Sequence, residues 1–147
     1  MAMDTADAFA ALYRDAVLDH GRAPRAVGEL PAATHRATLH NALCGDRVAL
    51  DLQRDADGRI AALAHRTSGC LLCTASASLM SQAVQGLDAA AIAAMARSLR
   101  AGVQGGDGRG LGPLAALTGV SATPSRHRCV LLPWEALESA LADGATA

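Results

Sequence analysis

Lysine is absent from this chain; all 13 basic residues are arginine, set against 14 acidic ones for a net charge of −1. No long basic stripe runs through it and no acidic tail closes it, which argues against nucleic acid as a partner. Aromatic residues are nearly as scarce. Phe9, Tyr13 and Trp134 are the whole set, 2% of the chain, too few and too scattered for a base-stacking platform. The core is therefore expected to be aliphatic and alanine-rich, with closely packed helices. The uncharged stretch Leu71–Leu87 carries Thr, Ser and Gln and is too short to span a bilayer. Met1–His20 lacks a basic opening region and holds Asp4, Asp7, Arg14 and Asp15, so it does not read as a signal peptide. The expectation is a soluble cytoplasmic protein with neither nucleic acid nor membrane as partner. In that compartment its four cysteines are reduced, which favours metal or sulfur chemistry over disulfides.

What is present supports a packed fold. At 147 residues, 51% hydrophobic and 18% charged, the chain reads as one domain able to bury a core without disulfide staples and not as a disordered segment. Residues 5–20 read as a helix capped by Thr5, with Phe9, Leu12, Tyr13, Ala16 and Val17 at helical spacing and Gly21 as its stop. Residues 21–33, with Gly21, Pro24, Gly28 and Pro31, read as an ordered loop. Three strands follow: a poorly alternating 34–41, a clear 46–54 in which Val48, Leu50 and Leu52 alternate with Arg47, Asp51 and Gln53, and 59–67 after an Asp57-Gly58 hairpin signal. The sheet is expected to be one-sided. Helices are expected over 71–85 and about 88–101, with Asp88 as a cap. The six glycines of 102–112 suggest a mobile loop. Leu114–Leu117 suggests a helical turn, and Thr123-Pro124 opens a last helix that Pro133 should break or restart. The predicted architecture is α+β: a small antiparallel sheet of about three strands with helices packed on one face.

The chemistry gathers on cysteines. Cys44 stands in Cys44-Gly45-Asp46, where glycine permits a tight turn at the thiolate and Asp46 adds a hard oxygen; such a mixed donor set suits zinc or iron. The plainer reading is a turn into a strand with an incidental cysteine. Cys70 follows Gly69 and opens a helix, whose free N–H groups and dipole favour a thiolate; a buried small hydrophobe is the alternative. Cys129 follows Arg126-His127-Arg128, and positive neighbours favour ionisation, although the arginines also read as a solvated face. Cys73 completes a Cys70-x-x-Cys73 pair, half of a zinc site or a redox dithiol by pattern; on a helix it shares a face with Cys70 and so could point at the same site, and the plainer reading is a small core residue. Among the histidines, His20 belongs to a helix C-terminus that favours its cation, and His127 is near enough to Cys129 in sequence to matter. Three thiolates and a carboxylate from three segments match a tetrahedral metal site in number and type. They do not separate zinc from an iron–sulfur cluster.

Several motifs together resemble the U-type iron–sulfur cluster assembly family, which comprises IscU, SufU and the N-terminal domain of NifU. Leu12-Tyr13-Arg14 to Leu18-Asp19-His20 and Pro24-Arg25 resemble its opening helix. Asn41–Asp46 is similar to its NPxCGD motif, and Ser68-Gly69-Cys70 with Thr74–Ser78 to its GC…ASAS segment. Leu117-Thr118-Gly119-Val120 to Cys129, followed by Trp134-Glu135-Ala136-Leu137, resembles its closing segment. Arg128 stands before the last cysteine where the IscU branch has histidine, and the interval Cys70–Cys129 is longer than in IscU; Arg126 and the basic residue at 128 resemble the SufU branch. The resemblance implies a single U-type domain over 1–147 with a SufE/IscU-like fold. It also implies zinc on Cys44, Asp46, Cys70 and Cys129, and an Arg126 that pairs with Asp46 when the metal site opens. By the same resemblance Cys44 is the first candidate to accept persulfide sulfur from a SufS-like cysteine desulfurase. The alternative is a non-enzymatic scaffold, with an iron–sulfur cluster on Cys44, Cys70 and Cys129 handed to apo-proteins. Departures are Ala42 for the motif's proline, Gly21-Arg22 after His20, the extra Cys73, Pro133 and the missing lysines.

Overall fold

The computed structural model describes residues 5–43 and 45–142, and of residues 5–13 the backbone alone. Helix α1 spans Thr5–Arg22. Strands β1 (His35–Asn41), β2 (Asp46–Arg54) and β3 (Ile60–Ser68) follow, then helices α2 (Leu71–Ala83) and α3 (Ala89–Gly105). Two 3-10 helices, Gly112–Val120 and Pro124–Arg126, lead into α4 (His127–Ala142). The strands form an antiparallel meander in the order β1-β2-β3, and the architecture is the expected α+β. Thr5, expected to cap α1, is its first residue, and its side chain, with those of Phe9, Leu12 and Tyr13, lies outside the described residues.

Period-two patterning makes the sheet. Val48, Leu50 and Leu52 are each fully buried. The β2–β3 hairpin closes at Gly58, whose φ of +79° only glycine adopts without strain. There the Asp55 carboxylate accepts from the amides of Asp57 and Arg59 at 2.9 and 3.0 Å. Beneath the sheet lie Leu79 and Met80 of α2, Ile92 and Leu99 of α3, and Trp134 and Leu137 of α4. Trp134, one of three aromatics in the chain, is wholly buried, and its indole N–H has no hydrogen-bond partner. Burying that donor costs about 1–3 kcal/mol, which the ring's large apolar area offsets.

Four expectations are corrected. The sheet is not one-sided at β2, because Asp51 on the opposite face is 3% exposed. Arg66 grips it with two hydrogen bonds of 3.2 Å, and the Leu30 amide donates to it at 3.0 Å. Gly21 does not stop α1. It sits inside the helix, where a Cβ would lie 2.4 Å from Leu71 Cδ1, so glycine is there to let α1 meet α2 closely. The 102–112 stretch is not simply a loop: α3 runs to Gly105 and ends on the left-handed Gly106. A Cβ on Gly102 would lie 2.7 Å from the Asp107 carbonyl, and one on Gly108 the same distance from Ala115, so these glycines serve packing. The helical turn expected at Leu114–Leu117 is present, within a nine-residue 3-10 helix. Finally, α4 continues through Pro133. Proline withdraws the amide that would bond the Cys129 carbonyl, and in the adjacent position the Val130 carbonyl accepts from the Ser76 hydroxyl.

Candidate metal centre

Strand register brings the motifs to one end of the sheet. Asn41, the last residue of β1, pairs with Asp46, the first of β2. Arg47 pairs with Ser68, the last of β3, so Asp46 falls beside Gly69 and Cys70 where the chain turns into α2. The first turn of α4 then delivers Cys129 from the other side. Ligand atoms of Asp46, Cys70 and Cys129 all lie within 4.8 Å of one another. Among the described residues this is the single such grouping, and no histidine joins it.

Each position has a local cause. Asp46 is 1% exposed. Its Oδ1 accepts the Cys70 amide at 2.8 Å, and its Oδ2 lies 3.7 Å from the Cys70 thiol. That approach requires Gly69: a Cβ there would stand 2.0 Å from Asp46 Oδ1, and the residue's φ is +151°. Cys70 is the N-cap of α2, with extended torsions and no side-chain cap bond, so its thiol is not spent on capping. Cys129 is buried. Burial, then the neighbouring Asp46 carboxyl and Cys70 thiol, push its thiol pKa well up. A site that resists acquiring a further anion in this way is one where a divalent cation reverses the balance and displaces the protons. Two sulfurs and one oxygen fit zinc or iron. Cys44, the fourth expected ligand, lies outside the described residues.

The loop that carries it is anchored on both flanks. The buried Asn41 accepts the Leu43 amide on its side chain at 3.2 Å and the Gly45 amide on its carbonyl at 2.8 Å. This anchoring role was not evident from the motif; an Asn whose side chain bonds two residues on is an Asx-turn signal. Ala42, in place of the motif's proline, is exposed in that turn.

A cleft of about 590 Å³ opens over the thiols, lined by Asn41, Leu43, Cys70, Pro124, Ser125, Arg126, Arg128 and Cys129. Arg126 and Arg128 are exposed on its wall, and Arg128 also reaches Glu135 at 3.7 Å. Leu43, 97% exposed, is an apolar side chain on the rim that sequence reading passed over.

The other candidates fall elsewhere. Cys73 is fully buried among Val48, Cys129, Leu132 and Ala136, as the core reading expected. His127 faces away, with Nε2 at 3.0 Å from the Val120 carbonyl and 3.2 Å from that of Ser121. His20 is buried with Nδ1 2.7 Å from Ser78 Oγ. Burial and the Arg25 charge lower its pKa, so the cation expected at the helix end is disfavoured.

The NifU-like N-terminal domain family matches residues 12–143. The chain is 36% identical to the zinc-dependent sulfurtransferase SufU of Bacillus subtilis (strain 168), over 89% of this chain and 90% of that protein. It is 34% identical to the iron–sulfur cluster assembly scaffold protein IscU of Streptococcus pyogenes serotype M1, over 92% and 86%. The crystal structure of FiSufU from Fervidobacterium islandicum AW-1 superposes with a TM-score of 0.80 at 27% identity, over 86% of this chain and 94% of that one. No helix among the described residues is long and apolar enough to cross a membrane.

Proposed function

Because the chain belongs to the NifU-like N-terminal domain family, whose members here are iron–sulfur cluster assembly proteins of the SufU and IscU type, we propose that it accepts persulfide sulfur from a cysteine desulfurase for cluster biogenesis. The observation that carries this reading is the convergence of Asp46, Cys70 and Cys129 within 4.8 Å beneath a cleft walled by Arg126 and Arg128. With Cys44 they would hold one zinc ion, which keeps thiols deprotonated and shields them from oxidation.

The chain's own residues supply the rest. Gly45, at φ +75°, and the Asn41 anchor flank Cys44 in the sequence. The Cys44 thiolate attacks the outer sulfur of the desulfurase persulfide. The S–S bond breaks, the desulfurase thiolate leaves, and the sulfane sulfur stays on Cys44. On this reading Arg126, on the cleft wall, pairs with Asp46 once Asp46 is released from a metal. The exposed Leu43, next to Cys44 in sequence, offers the docking desulfurase an apolar contact. The test is sulfide release from cysteine by a desulfurase with and without this protein. Stimulation that Cys44→Ala abolishes is expected; stimulation that Cys44→Ala leaves untouched contradicts the reading.

A second reading is a scaffold on which an iron–sulfur cluster, as cargo, is assembled and passed to apo-proteins. The carboxylate in the ligand set favours it, since oxygen ligation makes a cluster labile. Anaerobic reconstitution with iron and sulfide discriminates: a stable visible chromophore supports the scaffold, and none argues against it.

A further inference from the structure

We propose that a small cleft at the end of the sheet remote from the metal centre binds a phosphate group, held by His35 and Arg54. Neither the metal site nor the sulfur-relay reading uses these residues.

Place comes first. Strand β1 begins at His35 and ends at Asn41. Six steps of about 3.3 Å put His35 about 20 Å from the residue that anchors the Cys44 loop. Here Thr34, His35, Arg54, Asp55, Ala56 and Gly58 line a cleft of about 340 Å³, a volume within the range of small-ligand sites.

Thr34 is the hub. Its hydroxyl oxygen accepts the Arg54 amide at 3.1 Å and lies 2.8 Å from His35 Nδ1. The hydroxyl hydrogen has two acceptors within reach, His35 Nδ1 and the Leu52 carbonyl at 3.4 Å. That carbonyl already takes the Thr34 amide at 2.7 Å, so the shorter bond, to Nδ1, is the one made. Nδ1 is then the acceptor, and Nε2 carries the hydrogen of the neutral ring. His35 is 6% exposed, yet its Nε2 meets no hydrogen-bond partner in the chain. Among the described residues, Trp134 Nε1 is the only wholly buried side-chain nitrogen or oxygen without a partner. His35 Nε2 therefore opens to solvent, and the opening that His35 lines is this cleft.

Arg54 supplies the charge. Its Nε donates to the Gly58 carbonyl at 2.9 Å, which fixes the guanidinium and leaves both terminal nitrogens to donate elsewhere. A Cβ on Gly58 would lie 3.1 Å from Arg54 Nη2, so glycine gives the guanidinium room across the hairpin. Among the described residues no carboxylate pairs with Arg54. Asp55, on the same cleft, turns a carboxylate oxygen onto the hairpin amides of Asp57 and Arg59. Three donor nitrogens, Nε2 of His35 and the two Nη of Arg54, thus border one cleft with no acceptor from the chain. A phosphate group matches them with three oxygens, two of them taken side by side by the guanidinium. A carboxylate offers only two.

The test titrates inorganic phosphate into the full chain at neutral pH and constant ionic strength, following the His35 and Arg54 side-chain nitrogens by NMR. Saturable shifts of both, with one binding constant, are expected. Arg54→Gln should weaken binding about tenfold or more, through loss of the charged fork. Arg54→Lys, which keeps the charge and loses the fork, should also weaken it and serves if the glutamine variant does not fold. Thr34→Val removes the positioning hydroxyl but no donor; it should weaken binding less and move the His35 ring nitrogens towards the other tautomer. Glycerol 3-phosphate distinguishes the sources. Binding as tight as that of phosphate supports a phosphorylated ligand, and weaker binding supports free phosphate. Acetate that binds as tightly as phosphate, shifts that never saturate, or shifts at Arg126 and Arg128 with His35 unmoved, overturn the proposal. Zinc content and desulfurase stimulation are no part of this readout, so failure of the sulfur-relay reading leaves the phosphate site intact, and the reverse.

Discussion

Asp46 and Asp51 stand on the same strand, 1% and 3% exposed, and their surroundings differ in kind. Asp51 is met by cations from its own chain. Arg66 holds it in a two-bond fork, Arg36 approaches to 3.5 Å and the Leu30 amide adds a third hydrogen bond. Burial pushes its carboxyl up, but these partners outweigh burial and hold it below the usual range. Around Asp46 stand the Cys70 amide, which donates to it, and the thiols of Cys70 and Cys129, whose ionisation adds negative charge instead of cancelling it. The first arrangement ties the loop at residues 28–30 to the sheet, with Arg66 also donating to the Gly28 carbonyl at 2.7 Å. The second is the arrangement in which we propose a cation from outside is held. One strand thus shows that a buried carboxylate is read by its neighbours and not by its burial.

The sharpest way to break the contrast is at Gly69. Gly69→Ala forces a Cβ against Asp46 Oδ1 in a backbone conformation that side chains avoid. It should cost about 3 kcal/mol of stability and abolish zinc retention, measured by chemical denaturation and metal content of the same preparation. Asp46→Ala should weaken zinc by more than the ~10–100-fold that loss of an outer-shell partner costs, with little loss of fold, read by competition with a chromophoric chelator. Arg66→Met should do the reverse. It strands Asp51 and should cost about 1–2 kcal/mol, with zinc content unchanged; a fall in zinc would erase the distinction between the two carboxylates.

The smallest effect is on pH dependence. His65 is fully buried, with Nε2 2.8 Å from the Arg25 carbonyl and Nδ1 2.9 Å from Thr67 Oγ1. Burial lowers its pKa, as it does those of His20 and His35. Unfolded, each titrates near about 6.5. Below that pH the unfolded chain holds more protons than the folded one, so stability falls as pH drops from 7 towards the lower folded values. The melting temperature should fall over that range, and His65→Gln should flatten the slope.

Much of this was legible in the sequence where residue type and period agree. Strand β2 was bounded correctly by Val48, Leu50 and Leu52, and the hairpin by Asp57-Gly58. The convergence of Asp46, Cys70 and Cys129 followed from ordered motifs, because each thiol or carboxylate stands at an element end. Glycine misled: Gly21, Gly102 and Gly108 read as breaks or slack, but a missing Cβ also serves close approach, and only neighbours distant in sequence reveal which applies. Pro133 misled because a lost helix bond is local, whereas the packing that keeps α4 continuous is not. Asp51 looked like a solvent-facing residue until Arg66, fifteen residues on, was placed beside it.

The central claim is that Asp46, Cys70 and Cys129, with Cys44, hold one zinc ion. It is tested most directly by elemental analysis of the anaerobically purified protein, with a visible spectrum of the same sample. About one zinc per chain, without visible absorption, is predicted. Iron with acid-labile sulfide and a brown colour, or no bound metal at all, would contradict it.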